Sequence, residues 1–349
     1  MTNTAAYLPI YALSRGGHPE SLHHGAIAVV DGSGALLASY GDIAAAPFLR
    51  SSGKPFQALP FVEAGGVAHY GLEPRELALT CASHSGTEAQ LEVLAGIMRK
   101  AGLDEVDLQC GVHPPLDADS AEALRQRGQA PDPRHHNCSG KHSGMLAFAK
   151  MQVWPLDGYL DRGHPVQQAI LAAVAEMCAV EPGQIALGTD GCSAPNFAIP
   201  LRNAALGFAR LAGGGELAPE RTAACTQIFE AMSAHPEMVG GPGRFDTRLM
   251  QVTGGRILSK GGAEGYQALA WRASASGGGA ASMGVAFKIA DGDARGWARP
   301  AVALEVLRQL EAISADELAQ LADFGPQRSV LNARELEVGQ GRPIFELGR

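Results

Sequence analysis

Short apolar runs with strand-like character stand near both ends of this chain, and the long stretch between them reads as helix. Residues 25–30 (Gly-Ala-Ile-Ala-Val-Val) and 35–40 (Ala-Leu-Leu-Ala-Ser-Tyr) flank Asp31-Gly32-Ser33-Gly34. Asp-Gly between two apolar runs is a hairpin signal, and residues 8–13 supply a third strand. Past residue 254, segments 256–260, 266–274 and 282–290 again read as strands. Gly277-Gly278-Gly279 and Asp291-Gly292-Asp293 mark turns there. Strands at the two ends that must each bury a face can do so by pairing into one antiparallel sheet.

Between the strand regions, apolar residues recur at helical spacing over 51–63, 73–79, 87–101, 119–127, 144–151, 165–178, 201–211 and 219–232. Pro74 sits at a favoured first-turn position, and Gly102 is a stop signal. Two more helices, 297–312 and 315–323, close the chain and can cover one sheet face. No repeat, linker or low-complexity tract divides it. The expected class is therefore α/β of the α+β kind, one catalytic unit over 1–349. A sheet lobe takes up about 1–50 and 254–349, and a helical lobe about 51–253 is inserted between. Such a layout leaves a cleft where the lobes meet, a preferred place for a ligand.

The chain carries a net charge of −8. That argues against a nucleic-acid or polyanion partner, which needs a basic surface, and suits a protein acting on a small molecule. The N-terminal segment has no cationic start and no continuous apolar stretch, so a secretory signal is not expected. No apolar run is long enough to span a membrane. The expected compartment is the cytoplasm, with all six cysteines reduced.

Of 28 basic residues only six are lysines. Three of the six sit in small-residue, hydroxyl-rich segments: Ser51-Ser52-Gly53-Lys54, Asn137-Cys138-Ser139-Gly140-Lys141-His142 and Leu258-Ser259-Lys260-Gly261-Gly262. Arginine can replace lysine where only surface charge is needed, but not where an amine must lose its proton. Lys100, Lys150 and Lys288 have no such setting.

Ser51 and Lys54 stand in S-x-x-K spacing at a helix start, one turn apart on one face. A lysine amine with a lowered pKa can take a serine proton, and a helix N-terminus stabilises developing negative charge. Alone, the pattern is more often an N-cap serine beside a surface lysine. Lys260 adds a lysine on a strand followed by glycines, the part that K-T-G plays in Ser–Lys acyl hydrolases. Here Gly261 replaces the expected hydroxyl residue. The loop Thr80-Cys81-Ala82-Ser83-His84-Ser85-Gly86 offers Ser83 as a second hydroxyl, although helix capping would explain Ser83 or His84 taken singly.

Gly140-Lys141 resembles the end of a P-loop, but His135 occupies the first glycine position and His142 the Ser/Thr position, so phosphate binding is excluded. Cys138, Lys141 and His142 crowd potential metal ligands into one turn, and Cys192 lies in a second polar turn. Two thiolates and a nitrogen donor suit Zn²⁺. Two loop cysteines beside a ligand pocket explain the same residues.

Taken together, these segments resemble the thermolabile type II L-asparaginases of the rhizobial kind, over nearly the whole chain. The matching stretches are Arg15-Gly16-Gly17 with Glu20-Ser21-Leu22-His23, Arg50 to Gln57, Cys81 to Gly86, Asn137 to Gly144, Gly188 to Cys192, and Lys260 to Gly265. The resemblance implies a fold like that of serine β-lactamases and glutaminases, and hydrolysis of L-asparagine to L-aspartate and ammonia. It implies two Ser–Lys pairs, Ser51 with Lys54 and Ser83 with Lys260, with Ser51 as nucleophile. Arg50, His142 and Asp190 are the implied substrate-binding residues. A Zn²⁺ on Cys138, Lys141 and Cys192 would aid binding more than bond cleavage, and a homodimer is the implied assembly. Competing readings are a glutaminase, a penicillin-recognising peptidase or another Ser–Lys acyl hydrolase. A non-catalytic zinc or redox module is a further alternative, but it leaves Lys54 and Lys260 without a role.

Overall fold

The computed structural model describes residues 6–272 and 282–348. The Gly277-Gly278-Gly279 turn and the last two residues of the strand expected at 266–274 lie outside them. Strands β1 (Leu8–Arg15), β2 (His18–Asp31) and β3 (Leu36–Tyr40) open the chain. Helices α1 (Lys54–Glu63), α2 (Gly66–Tyr70), α3 (Pro74–Thr80), α4 (Glu88–Ala101), α5 (Ala118–Gln126), α6 (Ser139–Met151) and α7 (Pro165–Cys178) follow. A small hairpin of β4 (Ala186–Thr189) and β5 (Pro195–Ala198) precedes α8 (Leu201–Leu211), α9 (Pro219–Ala234), α10 (Pro236–Val239) and α11 (Phe245–Val252). The chain then returns through β6 (Ile257–Gly262), β7 (Tyr266–Arg272) and β8 (Ser282–Ile289). It ends with α12 (Ala298–Gln309), α13 (Ala315–Ala319), β9 (Arg328–Leu331) and β10 (Glu337–Pro343).

The strands from both chain ends form one eight-stranded sheet, ordered β6-β7-β8-β2-β1-β10-β9, with β3 also paired to β2. The pairings are antiparallel, and β2 is joined to β8 with Ile27 opposite Phe287. Period-two alternation divides the sheet's side chains between two cores. Ala26, Ala28, Val30, Ala268, Ala270 and Ala286 join the helices of the insertion. Ile27, Val29, Leu269, Val285 and Phe287 face the other way and pack with α12 through Ala301, Val302, Leu304 and Leu307.

The expected covering of one face by the C-terminal helices is half of the arrangement. The other face is covered by α8 of the insertion, whose apolar stripe includes Ala204, Ala205, Phe208 and Leu211. The small alanines of the sheet's inner row let α8 settle close. At Gly284 the approach is closest: a Cβ there would lie 2.0 Å from the carbonyl oxygen of Ala205. Strands β9 and β10, absent from the sequence reading, extend the sheet beyond β1.

Gly284→Ala is expected to push α8 off the sheet and cost about 1–3 kcal/mol. A thermal melt followed by circular dichroism reads this as a lowered midpoint with the secondary structure retained.

Candidate active site

The site forms along β6, the edge strand of the sheet, where the helical insertion closes over it. Edge strands carry unpaired backbone groups that must find partners. Here side chains supply them. Ser52 Oγ donates to the carbonyl of Lys260 at 2.8 Å, and the Gly261 N–H donates to Asp246 Oδ2 at 2.8 Å. Ser52 belongs to a tight 3-10 turn, Arg50–Gly53, which leads into α1 at Lys54. The turn is held from its other side by the hairpin strand β5: Leu49 N–H donates to Phe197 O at 2.9 Å, and Arg50 N–H to Asn196 Oδ1 at 3.1 Å. Arg50 has φ of +50°, a left-handed conformation that costs a non-glycine residue energy and tends to mark functional sites. The strained residue directly precedes Ser51.

Four sequence-singled residues meet here. Lys54 and Lys260 are both buried, at 0% and 1% exposure. Their Nζ atoms each stand 3.0 Å from Ser83 Oγ. Lys54 Nζ also donates to Ala82 O at 2.5 Å and Asn137 O at 3.3 Å, and Lys260 Nζ to Gly261 O at 3.1 Å. Ser83 is fixed by its own N–H, which donates to Val239 O at 2.9 Å. Burial, the Lys54 charge and Arg244 push the Lys260 amine down to about 7, against the opposing pull of Asp246 and Cys138. Two ammonium groups sharing one hydroxyl in a dry site disfavour double protonation, and Lys260 is the member that gives way.

Ser51 is half-buried and lines the same cavity as Ser83, a space of about 150 Å³. Among the described residues no hydrogen bond joins Ser51 Oγ to either lysine. The one-turn pairing of Ser51 with Lys54 is therefore open, and Lys54 turns instead to Ser83. Asn137, Arg244, Asp246 and Arg299 complete the wall together with the backbone of Gly240 and residues 261–263. Burial would raise the Asp246 pKa, but Arg299, Lys260, Ser259 and the Gly261 N–H hold it at about 2. Gly261 has a steric reason to lack a side chain: a Cβ would stand 2.4 Å from Arg299 Nη1. The place taken by a hydroxyl residue in K-T-G is filled here by a guanidinium.

Cys138, Lys141 and Cys192 form a second buried cluster behind Lys54. Cys138 is the N-cap of α6 and Lys141 lies in its first turn. This helix begins at Ser139 and not at 144. Its first turn is tied down by Ser139 Oγ, which donates to Arg134 O at 2.9 Å and meets His84 Nε2 at 2.7 Å. Lys141 Nζ is 3.0 Å from Cys192 Sγ. The contact with Cys192 holds the Cys138 thiol well below its usual range against the effect of burial, helped by Lys54 and Lys141. Burial works against the Lys141 charge, yet Cys192 and Cys138 raise its pKa overall. Among the described residues no three His, Cys, Asp or Glu side chains converge as a metal site. The donor set of two thiols and one amine nevertheless fits a soft or borderline metal. His142 is wholly buried beside it, with Nδ1 on Tyr159 Oη at 2.6 Å.

Arg50 and Asp190 are brought together, Nε to Oδ1 at 2.7 Å, linking the Ser51 turn to the Cys192 turn. Burial opposes ionisation of Asp190, but Lys141 and Arg50 hold its pKa below the usual carboxylate value. None of Arg50, His142 and Asp190 lines the cavity of Ser51 and Ser83. His84 is buried and pushed down to about 3 by burial and neighbouring cations, so it stays neutral. Arg244, Asp246 and Arg299 were not found from sequence. They lie in no local pattern, and only the packing of α11 and α12 brings them to the cavity.

A hydroxyl held between two buried amines, with a second hydroxyl on the adjoining cavity wall, has the parts of a hydrolase that activates a side-chain nucleophile. Comparison with known families gives the class directly: the model described as L-asparaginase II matches residues 11–343. The chain belongs to the L-asparaginase II family and is an asparaginase-type amidohydrolase. No curated protein matches it.

The depressed Lys260 pKa makes stability depend on pH. Between about 7 and the usual lysine value near 10.5 the unfolded chain binds a proton that the folded chain does not, so this group makes stability rise with pH across that window. Below it the folded state carries the full cost of a buried second cation. Lys260→Met is therefore expected to stabilise the protein more at pH 6 than at pH 10, read as the difference in urea midpoint from wild type at each pH. An equal shift at both would refute the assigned titration.

Proposed function

We propose that the protein hydrolyses the side-chain amide of L-asparagine to L-aspartate and ammonia through an acyl-enzyme on Ser51, on a serine-β-lactamase-like frame. The observation that carries this reading is the bridging of Ser83 Oγ by Lys54 and Lys260 at 3.0 Å each, in the cavity that Ser51 lines. Neutral Lys260, with a pKa of about 7, is the base. Such a value is suited to accepting and returning a proton near neutrality.

Ser51 Oγ attacks the amide carbon. Its proton passes to Ser83 Oγ while the Ser83 proton moves to Lys260 Nζ. Catalytic hydrogen bonds that are open without substrate close in the Michaelis complex. Lys54, which donates to Ser83 Oγ at 3.0 Å, holds that hydroxyl against Lys260 while the proton moves. Gly261 N–H is already engaged by Asp246, which leaves the backbone N–H groups of Ser51 and Ala263 as oxyanion donors. As the C–N bond breaks, Lys260 returns the proton through Ser83 to the leaving ammonia. Water then attacks the ester, losing its proton by the same route, and aspartate is released with Ser51 regenerated.

Zinc fits as an auxiliary group held by Cys138, Lys141 and Cys192. Bound there it would supply a fixed positive charge behind Lys54, and its binding would displace the proton of Lys141. Cys138→Ser and Cys192→Ser are expected to lower the zinc content of purified protein and to raise KM more than they lower kcat. Elemental analysis finding no zinc in protein prepared without chelator would remove this part while leaving the Ser–Lys chemistry standing.

Ammonia release from L-asparagine and L-glutamine, side by side, tests the activity and separates an asparaginase from a glutaminase. Ser51→Ala is expected to lower kcat by roughly 10³-fold or more with an unchanged melting midpoint. Near-normal turnover in that variant would move the nucleophile elsewhere, to Ser83 first.

A further inference from the structure

The cavity of Ser51 and Ser83 holds a cation that the chemistry above does not use. Arg244 lies at the N-cap of α11 and its side chain lines the cavity wall. It is half-buried, and among the described residues its guanidinium makes no hydrogen bond, ion pair or ring contact. Burial pushes its pKa below the usual arginine value. A guanidinium has five donors, and one withdrawn from water without a partner is costly to keep. The other charged groups of the cavity are already engaged. Asp246 accepts from Ser259 Oγ at 2.6 Å, Gln267 Nε2 at 3.1 Å and Gly261 N–H at 2.8 Å. Arg299 donates to Gln267 Oε1 and lies over the Phe245 ring at 6.0 Å.

Arg244 is also held in place relative to the reacting serines. The segment that carries it is tied to the Ser83 loop at two points and to the first turn of α4 at a third. Ser83 N–H donates to Val239 O at 2.9 Å, Ser85 Oγ to Gly240 O at 2.8 Å, and Gln90 Nε2 to Glu237 O at 2.7 Å. Beyond the tie, Thr247 Oγ1 donates to Pro236 O at 3.0 Å and accepts from Gly241 N–H at 3.1 Å, fixing the bend before α11. The backbone that carries Arg244 is thereby fixed relative to Ser83.

We propose that Arg244 is the anchor for the α-carboxylate of a free amino-acid substrate. The inference rests on the amidohydrolase reading and deepens it. The planar fork of an arginine matches a carboxylate with two parallel hydrogen bonds. A cavity of about 150 Å³ has room for a small amino acid. Anchoring the α-carboxylate on Arg244 directs the side-chain amide toward Ser51. It follows that the enzyme selects free amino acids and discriminates against the same amide with a blocked carboxylate.

The test compares wild type, Arg244→Gln and Arg244→Lys on L-asparagine and on L-asparagine α-methyl ester, following ammonia. Arg244→Gln is expected to raise KM for asparagine roughly 10- to 100-fold with a much smaller change in kcat. Arg244→Lys recovers part of the loss, because it restores the charge but not the fork. Wild type is expected to be poor on the ester, and the gap between wild type and Arg244→Gln to shrink to within about threefold there, as fits the loss of a carboxylate contact. An Arg244→Gln enzyme with KM for asparagine within twofold of wild type overturns the anchor. So does an equal deficit on asparagine and ester. If wild type itself releases no ammonia from asparagine or glutamine, the amidohydrolase reading falls and the anchor with it, so the two failures are told apart before any variant is made.

Discussion

Two lysine side chains converge on one serine hydroxyl in the interior, and the rest of the site is arranged around that contact. Lys54 arrives from the start of α1, Lys260 from the edge of the sheet and Ser83 from the loop after α3. Bringing two amines so close in a dry place is unfavourable unless one of them gives up its proton. Among the described residues no carboxylate makes an ion pair with either amine. Asp246, whose charge opposes the fall in the Lys260 pKa, is hydrogen-bonded to Ser259, Gln267 and the backbone of β6. The unfavourable contact is thereby kept and leaves one amine basic near neutrality.

The second cluster follows the opposite rule. Lys141 faces Cys192 and Cys138, so its charge is stabilised and that of Cys138 is drawn out. The two lysine environments lie close together, since Lys54 reaches the carbonyl of Asn137, the residue before Cys138. One fold thus sets one lysine beside a second amine and another against two cysteines. Arginine cannot serve the first purpose, since its guanidinium does not give up a proton.

How much of this could be read in advance depended on whether the signal was local. The hairpin at Asp31-Gly32 and the strands of both chain ends were legible, because alternation and turn chemistry act over a few residues. Strands β9 and β10 were not. Their residues are largely exposed, and Glu337-Val-Gly-Gln-Gly-Arg-Pro has no apolar alternation. The start of α6 was placed late because Ser139, Gly140 and Ser143 read as loop. Tertiary hydrogen bonds to His84 and Arg134 O override that local preference. Ser51, Lys54, Ser83 and Lys260 announced themselves by short patterns. Arg244, Asp246 and Arg299 have no pattern and owe their place to packing alone. The spacing of Ser51 and Lys54 promised a direct contact that the structure leaves open, since spacing fixes the Cβ direction but not where a long side chain ends.

The order in which the sheet must be assembled has a consequence for the newly made chain. Strand β2 finds its partner β8 only when Phe287 can lie opposite Ile27, and β1 waits still longer for β10, with Tyr11 opposite Pro343. Contacts so distant in sequence close slowly. While a ribosome is still producing the helical insertion, the first hairpin is left with open edges and apolar faces, the kind of surface that aggregates or recruits chaperones. Lys260 and Ser83 also come together only late in this sequence. The chain is therefore chemically inert for most of its synthesis, and the basic amine appears only as the sheet closes.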